Sequence, residues 1–130
     1  MKSQKALRGA VSAIFFVSLM FALRQIAYAS GWETVCNVGS AFGIPVAAPI
    51  LIILNVLFLA MLLYWFFREY SWGALLMLAG GMSNLWERIR YGCVSDYFFL
   101  PFWPAFNLAD CFLVFGGCLI AWQLFRKKKA

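Results

Sequence analysis

Four long apolar runs constrain this chain more than any other feature. They cover approximately residues 9–28, 44–67, 71–89 and 103–125. A helix needs about 20 apolar residues to cross a bilayer, and each run is near that length. The second is the cleanest, and the third is the weakest because its outer end is polar. Composition agrees. The chain is 65% hydrophobic and 12% charged, against roughly 45–50% apolar and about 25% charged in soluble domains. These features predict an all-α integral membrane protein, with four transmembrane helices and a small extracytoplasmic loop or sheet element. Its 130 residues suit a single membrane-embedded domain, 1–130, with no internal repeat and no flexible linker.

The charges orient the helices. With the N-terminus inside, Lys2, Lys5, Arg8, Arg68, Arg126, Lys127, Lys128 and Lys129 are cytoplasmic, and only Arg24, Arg88 and Arg90 lie outside. The positive-inside rule then places both termini in the cytoplasm. The net charge of +6 gathers at the two ends, which suits anionic lipid headgroups and gives no nucleic-acid face. The first run has a second reading. A basic start, an apolar stretch and "AYAS" resemble a signal peptide cleaved at Ala29; the topology of the remainder would be the same. There is no histidine, which removes His-based triads, Cys–His dyads and histidine metal sites. None of Cys36, Cys93, Cys111 and Cys118 forms a CxxC pair, so no metal site or cofactor is expected.

Polar chemistry collects at the outer edge. "CNVGSAFG" supplies Asn37, "GGMSNLWERIRYGCVSDYF" supplies Asn84, Glu87, Arg88 and Asp96, and "FNLAD" supplies Asn107 and Asp110. Asn84, Glu87 and Arg88, spaced i, i+3, i+4, would share a helix face, as would Asn107 and Asp110. Ionisable residues at such depth usually face a bundle interior or a watery cavity. Singly, each has a plainer reading. Asn37 suits a turn, Glu87 and Arg88 an interfacial ion pair, and Asp110 a helix cap. Asp96 suits a solvated loop, and Asn55, alone in the second run, suits interhelical hydrogen bonding.

Taken in order, "NVGSAFG", "GGMSNLWERIRYGCVSDYF" and "PAFNLAD" resemble the successive motifs of the prolipoprotein signal peptidase family, or signal peptidase II. The resemblance runs from Asn37 to about Gly117. It implies an aspartic peptidase in the bacterial inner membrane. Such an enzyme removes the signal peptide from lipoprotein precursors just before a diacylglyceryl-modified cysteine, at the extracytoplasmic face. By motif, Asp96 and Asp110 match the catalytic pair, and Asn37, Asn84, Arg88 and Asn107 match the polar residues around it. Globomycin is the inhibitor the resemblance implies. Two carboxylates sharing a site resist double ionisation, so one keeps a proton. That division suits water activation by one and carbonyl polarisation by the other. Arg88 is a candidate anchor for substrate backbone or lipid oxygens, or else a brace for Glu87, which counts among the substrate-binding or supporting residues.

Several residues depart from the family pattern. Glu87 stands where Asp usually precedes the arginine, and Gly43 stands where serine is common. The outer segment "SGWETVCN" is shorter than the family's, which contributes to a small substrate-cradling sheet. Arg24 and Gln25 occupy the region where an acid is usual. Cys36 and Cys93 both fall in outer loops, where an oxidising compartment permits a bond. Cys111 and Cys118 suit packing in the fourth helix. The competing class is a non-catalytic lipopeptide-binding or scaffold protein, against which the intact acid pair argues. A small transporter would need a polar path through inner helix halves that are nearly all apolar.

Overall fold

The computed structural model describes residues 1–130. Four helices carry the chain: α1 (Lys2–Ala29), α2 (Ala48–Glu69), α3 (Trp72–Tyr91) and α4 (Leu108–Lys129). Four short strands lie at one end of the bundle: β1 (Val35–Asn37), β2 (Val94–Asp96), β3 (Phe98–Leu100) and β4 (Trp103–Phe106). The helices α1, α2 and α4 are long and apolar enough to span a membrane. Their exposed faces carry large apolar side chains such as Ile14, Leu57 and Phe115, which suits lipid as the solvent. α3 is less apolar and packs against all three others. Ten of its 20 residues are buried, against four of the 28 in α1, so α3 is the axis of the bundle.

Small residues let the helices close on that axis. A Cβ at Gly73 would lie 2.6 Å from the Gly116 carbonyl oxygen of α4, and one at Gly80 would lie 2.5 Å from that of Ala109. Neither position has room for a side chain. In lipid, where helices gain nothing by hiding apolar surface, such backbone approach drives association. At the end of the bundle away from the strands Glu69 pairs with Lys127, and the Ser71 hydroxyl donates to Gln123 at 2.7 Å.

The helix limits have local causes. Pro49 sits in the first turn of α2, where its missing N–H costs nothing. Ser71 caps α3 by accepting from the Ala74 N–H at 3.3 Å. Gly92 ends α3 at φ 77°, a left-handed conformation that glycine adopts freely. Two expected limits move. The second run becomes helical at Ala48 rather than 44, because a single 3-10 turn, Ala41–Gly43, leads in. The fourth starts at Leu108 rather than 103, because Trp103–Phe106 is β4.

The segments between α1 and α2 and between α3 and α4 form two small antiparallel sheets. β1 pairs with β2, placing Val35 opposite Asp96, Cys36 opposite Ser95 and Asn37 opposite Val94. β3 pairs with β4 as an irregular hairpin. A Cys36–Cys93 disulfide, with Cα atoms 5.5 Å apart, staples β1 to the start of β2. Cys111 and Cys118 remain free thiols on α4.

Candidate active site

α4 begins with a reciprocal cap. The Asn107 side-chain oxygen accepts the Asp110 N–H at 2.9 Å, and the Asp110 carboxylate accepts the Asn107 N–H at 3.0 Å. Each side chain satisfies a backbone donor that a helix start would otherwise leave open. The plain reading of Asp110 as a cap is therefore correct, and the cap also fixes its carboxylate at the strand-bearing end of the bundle.

Asn107 joins the two acids. Its amide nitrogen donates to Asp96 Oδ1 at 3.0 Å and to Asn84 Oδ1 at 3.2 Å. The Asn84 amide in turn donates to Asp110 Oδ1 at 3.1 Å. The second oxygen of Asp96 accepts from Asn37 Nδ2 at 3.2 Å, while Asn37 Oδ1 accepts the Gly39 N–H at 2.9 Å. The turn role of Asn37 and its contact with the acid thus coexist. β1, β2, α3 and α4 bring these residues to one place.

Asp96 is 3% exposed, so the solvated-loop reading fails. β1–β2 pairing and the cap of α4 close over it. Burial, and next the nearby Asp110 carboxylate, push its pKa from 3.8 to about 6, against the lowering effect of the two asparagine amides. Tyr97, the next residue, is buried too, and its hydroxyl is pushed up to about 12, mainly by that burial. Its oxygen accepts the Leu108 N–H at 3.3 Å, so a neutral phenol closes another open donor of α4.

The pair lines a cavity of about 470 Å³ between α2, α3, α4 and the strands. Its polar wall holds Asn37, Asn84, Arg88, Asp96 and Asp110, and its deeper wall is apolar, with Leu51, Leu54, Phe58 and Leu113. Phe42 and Trp103 meet edge to face on its lining, with ring centroids 5.6 Å apart.

Two sequence expectations need correction. Asn84, Glu87 and Arg88 do not share one face. Successive helical residues turn by about 100°, and Glu87 points to α1 while Asn84 and Arg88 line the cavity. Nor do Glu87 and Arg88 pair. The Arg88 guanidinium donates to the Gly39 carbonyl at 2.9 Å, leaving its buried Nε without a partner. The partner of Glu87 is Arg24, whose Nε lies 3.2 Å from Glu87 Oε2 and 3.3 Å from Ser95 Oγ.

Arg24 and its neighbours were missed as site residues. The guanidinium lies 4.7 Å from the Tyr28 ring centroid and 4.2 Å from that of Tyr91. Glu87 Oε2 also accepts the Ser95 N–H at 2.8 Å, and the Ser95 and Tyr28 hydroxyls are 3.0 Å apart. This cluster holds β2 from behind, one residue before Asp96. A charged residue inside an apolar run, with tyrosine four positions on, was the available signal.

Comparison with known proteins identifies the lineage. The family model for signal peptidase (SPase) II matches residues 8–126. The chain belongs to the signal peptidase II family. Among curated members, the lipoprotein signal peptidase of Halothermothrix orenii is 36% identical over 99 residues, covering 72% of this chain and 68% of the relative. That of Pelotomaculum thermopropionicum is 35% identical over 97 residues, covering 69% and 64%. The matched stretch thus spans about two thirds of these relatives' length. A bacterial membrane enzyme solved in meso at 2.3 Å superposes with a TM-score of 0.81 at 24% identity, covering 93% of this chain and 89% of that one. A second, solved at 1.9 Å, gives 0.77 at 23% identity, covering 90% and 92%. The family is one of peptidases that process lipoproteins, and this member has the apolar helices of a bacterial membrane protein.

Proposed function

We propose that this chain is an intramembrane aspartic endopeptidase that removes signal peptides from diacylglyceryl-modified prolipoproteins. In this reading all four helices cross the bacterial inner membrane, both termini are cytoplasmic, and Asp96 and Asp110 act at the outer face. The observation that carries it is the joining of two acids from separate elements through Asn107, at the mouth of a cavity with apolar depths. The acyl chains occupy lipid while the scissile bond lies at the acid pair.

The chemistry follows from two carboxylates that share one proton. Asp96, raised to about 6, is the partner that keeps the shared proton. Asp110 takes a proton from water, whose oxygen attacks the scissile carbonyl carbon. Asp96 gives its proton to the carbonyl oxygen. As the tetrahedral adduct collapses, Asp96 recovers that proton, and the one held by Asp110 leaves with the amine. Asn84 and Asn107 keep the carboxylates in register. The Arg88 guanidinium, which lines the cavity, is the candidate anchor for a substrate oxygen. No cofactor takes part, and globomycin is the expected inhibitor.

The test is cleavage of a diacylglyceryl-modified prolipoprotein by purified protein in detergent. The wild type cleaves it and globomycin blocks cleavage. Asp96→Asn and Asp110→Asn fold but lose about 10²–10⁴-fold in rate. Substrate binding without cleavage by a folded wild type, or an Asp96→Asn variant that still cleaves, refutes the reading.

A further inference from the structure

The apolar depth of the cavity has one polar interruption. Leu51, Leu54, Asn55 and Phe58 of α2 all line it, at the i, i+3, i+4, i+7 spacing of one helix face. The sequence suggests interhelical hydrogen bonding for Asn55, but its side chain takes part in none of the bundle's hydrogen bonds. It is half-buried and turned to the cavity. Its neighbour across the helix interface is Gly81, where a built Cβ would lie 3.8 Å from Asn55 Oδ1. Glycine there presents no side chain to cover the amide.

The depth of Asn55 follows from the helix. Gly81 precedes Asn84 by three residues, about 4.5 Å of helix rise, and Asn84 donates to Asp110. The Asn55 amide therefore sits about one turn inward from the acid pair, on the lipid side. The Asn55 amide faces the cavity, half-buried and without a hydrogen-bond partner in the bundle, so an occupant of the cavity can supply one, and in apolar surroundings an amide gains from such a partner.

We infer that Asn55 is a substrate-binding residue whose side-chain amide donates to a carbonyl oxygen one helical turn inside the scissile bond. The inference rests on the peptidase reading above. The substrate offers that chemistry from two sources, the ester carbonyls of its diacylglyceryl group and the peptide carbonyls of its signal segment.

Asn55→Leu keeps the size of the side chain and removes the donor. Its kcat/KM on ester-linked diacylglyceryl prolipoprotein should fall about tenfold, carried by KM, with Asn55→Gln recovering part of the loss. An ether-linked substrate separates the sources. If the ester is the partner, wild type and Asn55→Leu become equal on it; if the peptide is, the tenfold gap persists. Equal KM for wild type and Asn55→Leu on both substrates overturns the inference. So does a lower unfolding temperature with unchanged KM, which would mark Asn55 as a helix-packing residue. A wild type without turnover would count against the peptidase reading instead. Binding of the uncleaved lipopeptide to Asp96→Asn and to Asp96→Asn/Asn55→Leu then tests Asn55 separately. A tenfold weaker Kd in the double variant supports its role, and equal Kd values overturn it.

Discussion

Arg24→Met tests whether the cluster behind β2 holds the site together. Methionine keeps most of the apolar stem between Tyr28 and Tyr91 but removes the charge. The side chains of Arg24 and Glu87 are only 10% and 8% exposed, so Glu87 is left as a buried carboxylate with the Ser95 N–H as its remaining strong donor. Breaking a buried pair from one side typically costs about 3–5 kcal/mol. The lost ring contacts add about 0.5–1 kcal/mol each at partly wet sites. We expect about 4 kcal/mol, the lower end of the sum, because the Ser95 donor stays. Glu87→Gln in the same background removes the stranded charge while keeping an acceptor for Ser95. The double variant should recover to within about 2 kcal/mol of wild type. The two single losses then overshoot the double loss by a coupling of about 0.5–3 kcal/mol. Reversible unfolding in detergent micelles gives the four corners of the cycle, and lipoprotein cleavage gives a second readout. Ser95 adjoins Asp96, so the single variant should also lose kcat. Strict additivity, or a single-variant cost below about 1 kcal/mol, would refute the view that this pair braces the strand.

Removing the Asn37 amide with Asn37→Ala takes away a hydrogen bond that lowers the Asp96 pKa. The alkaline limb of the kcat/KM profile, where Asp96 loses its proton near about 6, should move upward by about one unit. This follows from about 1.5 kcal/mol for a hydrogen bond to a charged group and 1.36 kcal/mol per unit; a downward shift in the pH profile would contradict the assignment. Reducing the Cys36–Cys93 bond, or making Cys93→Ser, should lower stability by about 2–4 kcal/mol. It should also remove a mobility difference between reducing and non-reducing gels; the absence of that difference in wild type would show the thiols unpaired.

Parts of this architecture are legible in the sequence for physical reasons. Helices in lipid announce themselves by length and apolarity, so the runs around α1 and α2 are plain. Asp96 and Asp110 stand out because acids at a membrane edge need a reason. The start of α4 was misplaced because "FWPAF" is as apolar as a helix and differs mainly in its proline. Strand pairing between residues 35–37 and 94–96 is a long-range match of three-residue segments, too short to show a period. The role of Glu87 was misassigned because adjacency to Arg88 in the chain suggested adjacency in space. On a helix, the neighbour in sequence points elsewhere, and the partner was 63 positions away on α1. The chemistry could thus be located before the bracing around it.

The central position of α3 has a consequence for the order in which the protein is made. Synthesis delivers α1 and α2 first, then α3, and α4 last. When α3 emerges, Arg24 is already present to meet Glu87, but Asn84 still lacks Asn107 and Asp110. Gly73 and Gly80 likewise face an empty flank until Gly116 and Ala109 arrive. Helix association in lipid follows insertion, so the bundle closes only with the final helix. The Asp96–Asp110 pair is therefore among the last of these features to form. A chain halted before residue 107 holds Asp96 but neither Asn107 nor Asp110, so the nascent protein has no acid pair until the start of α4 is made.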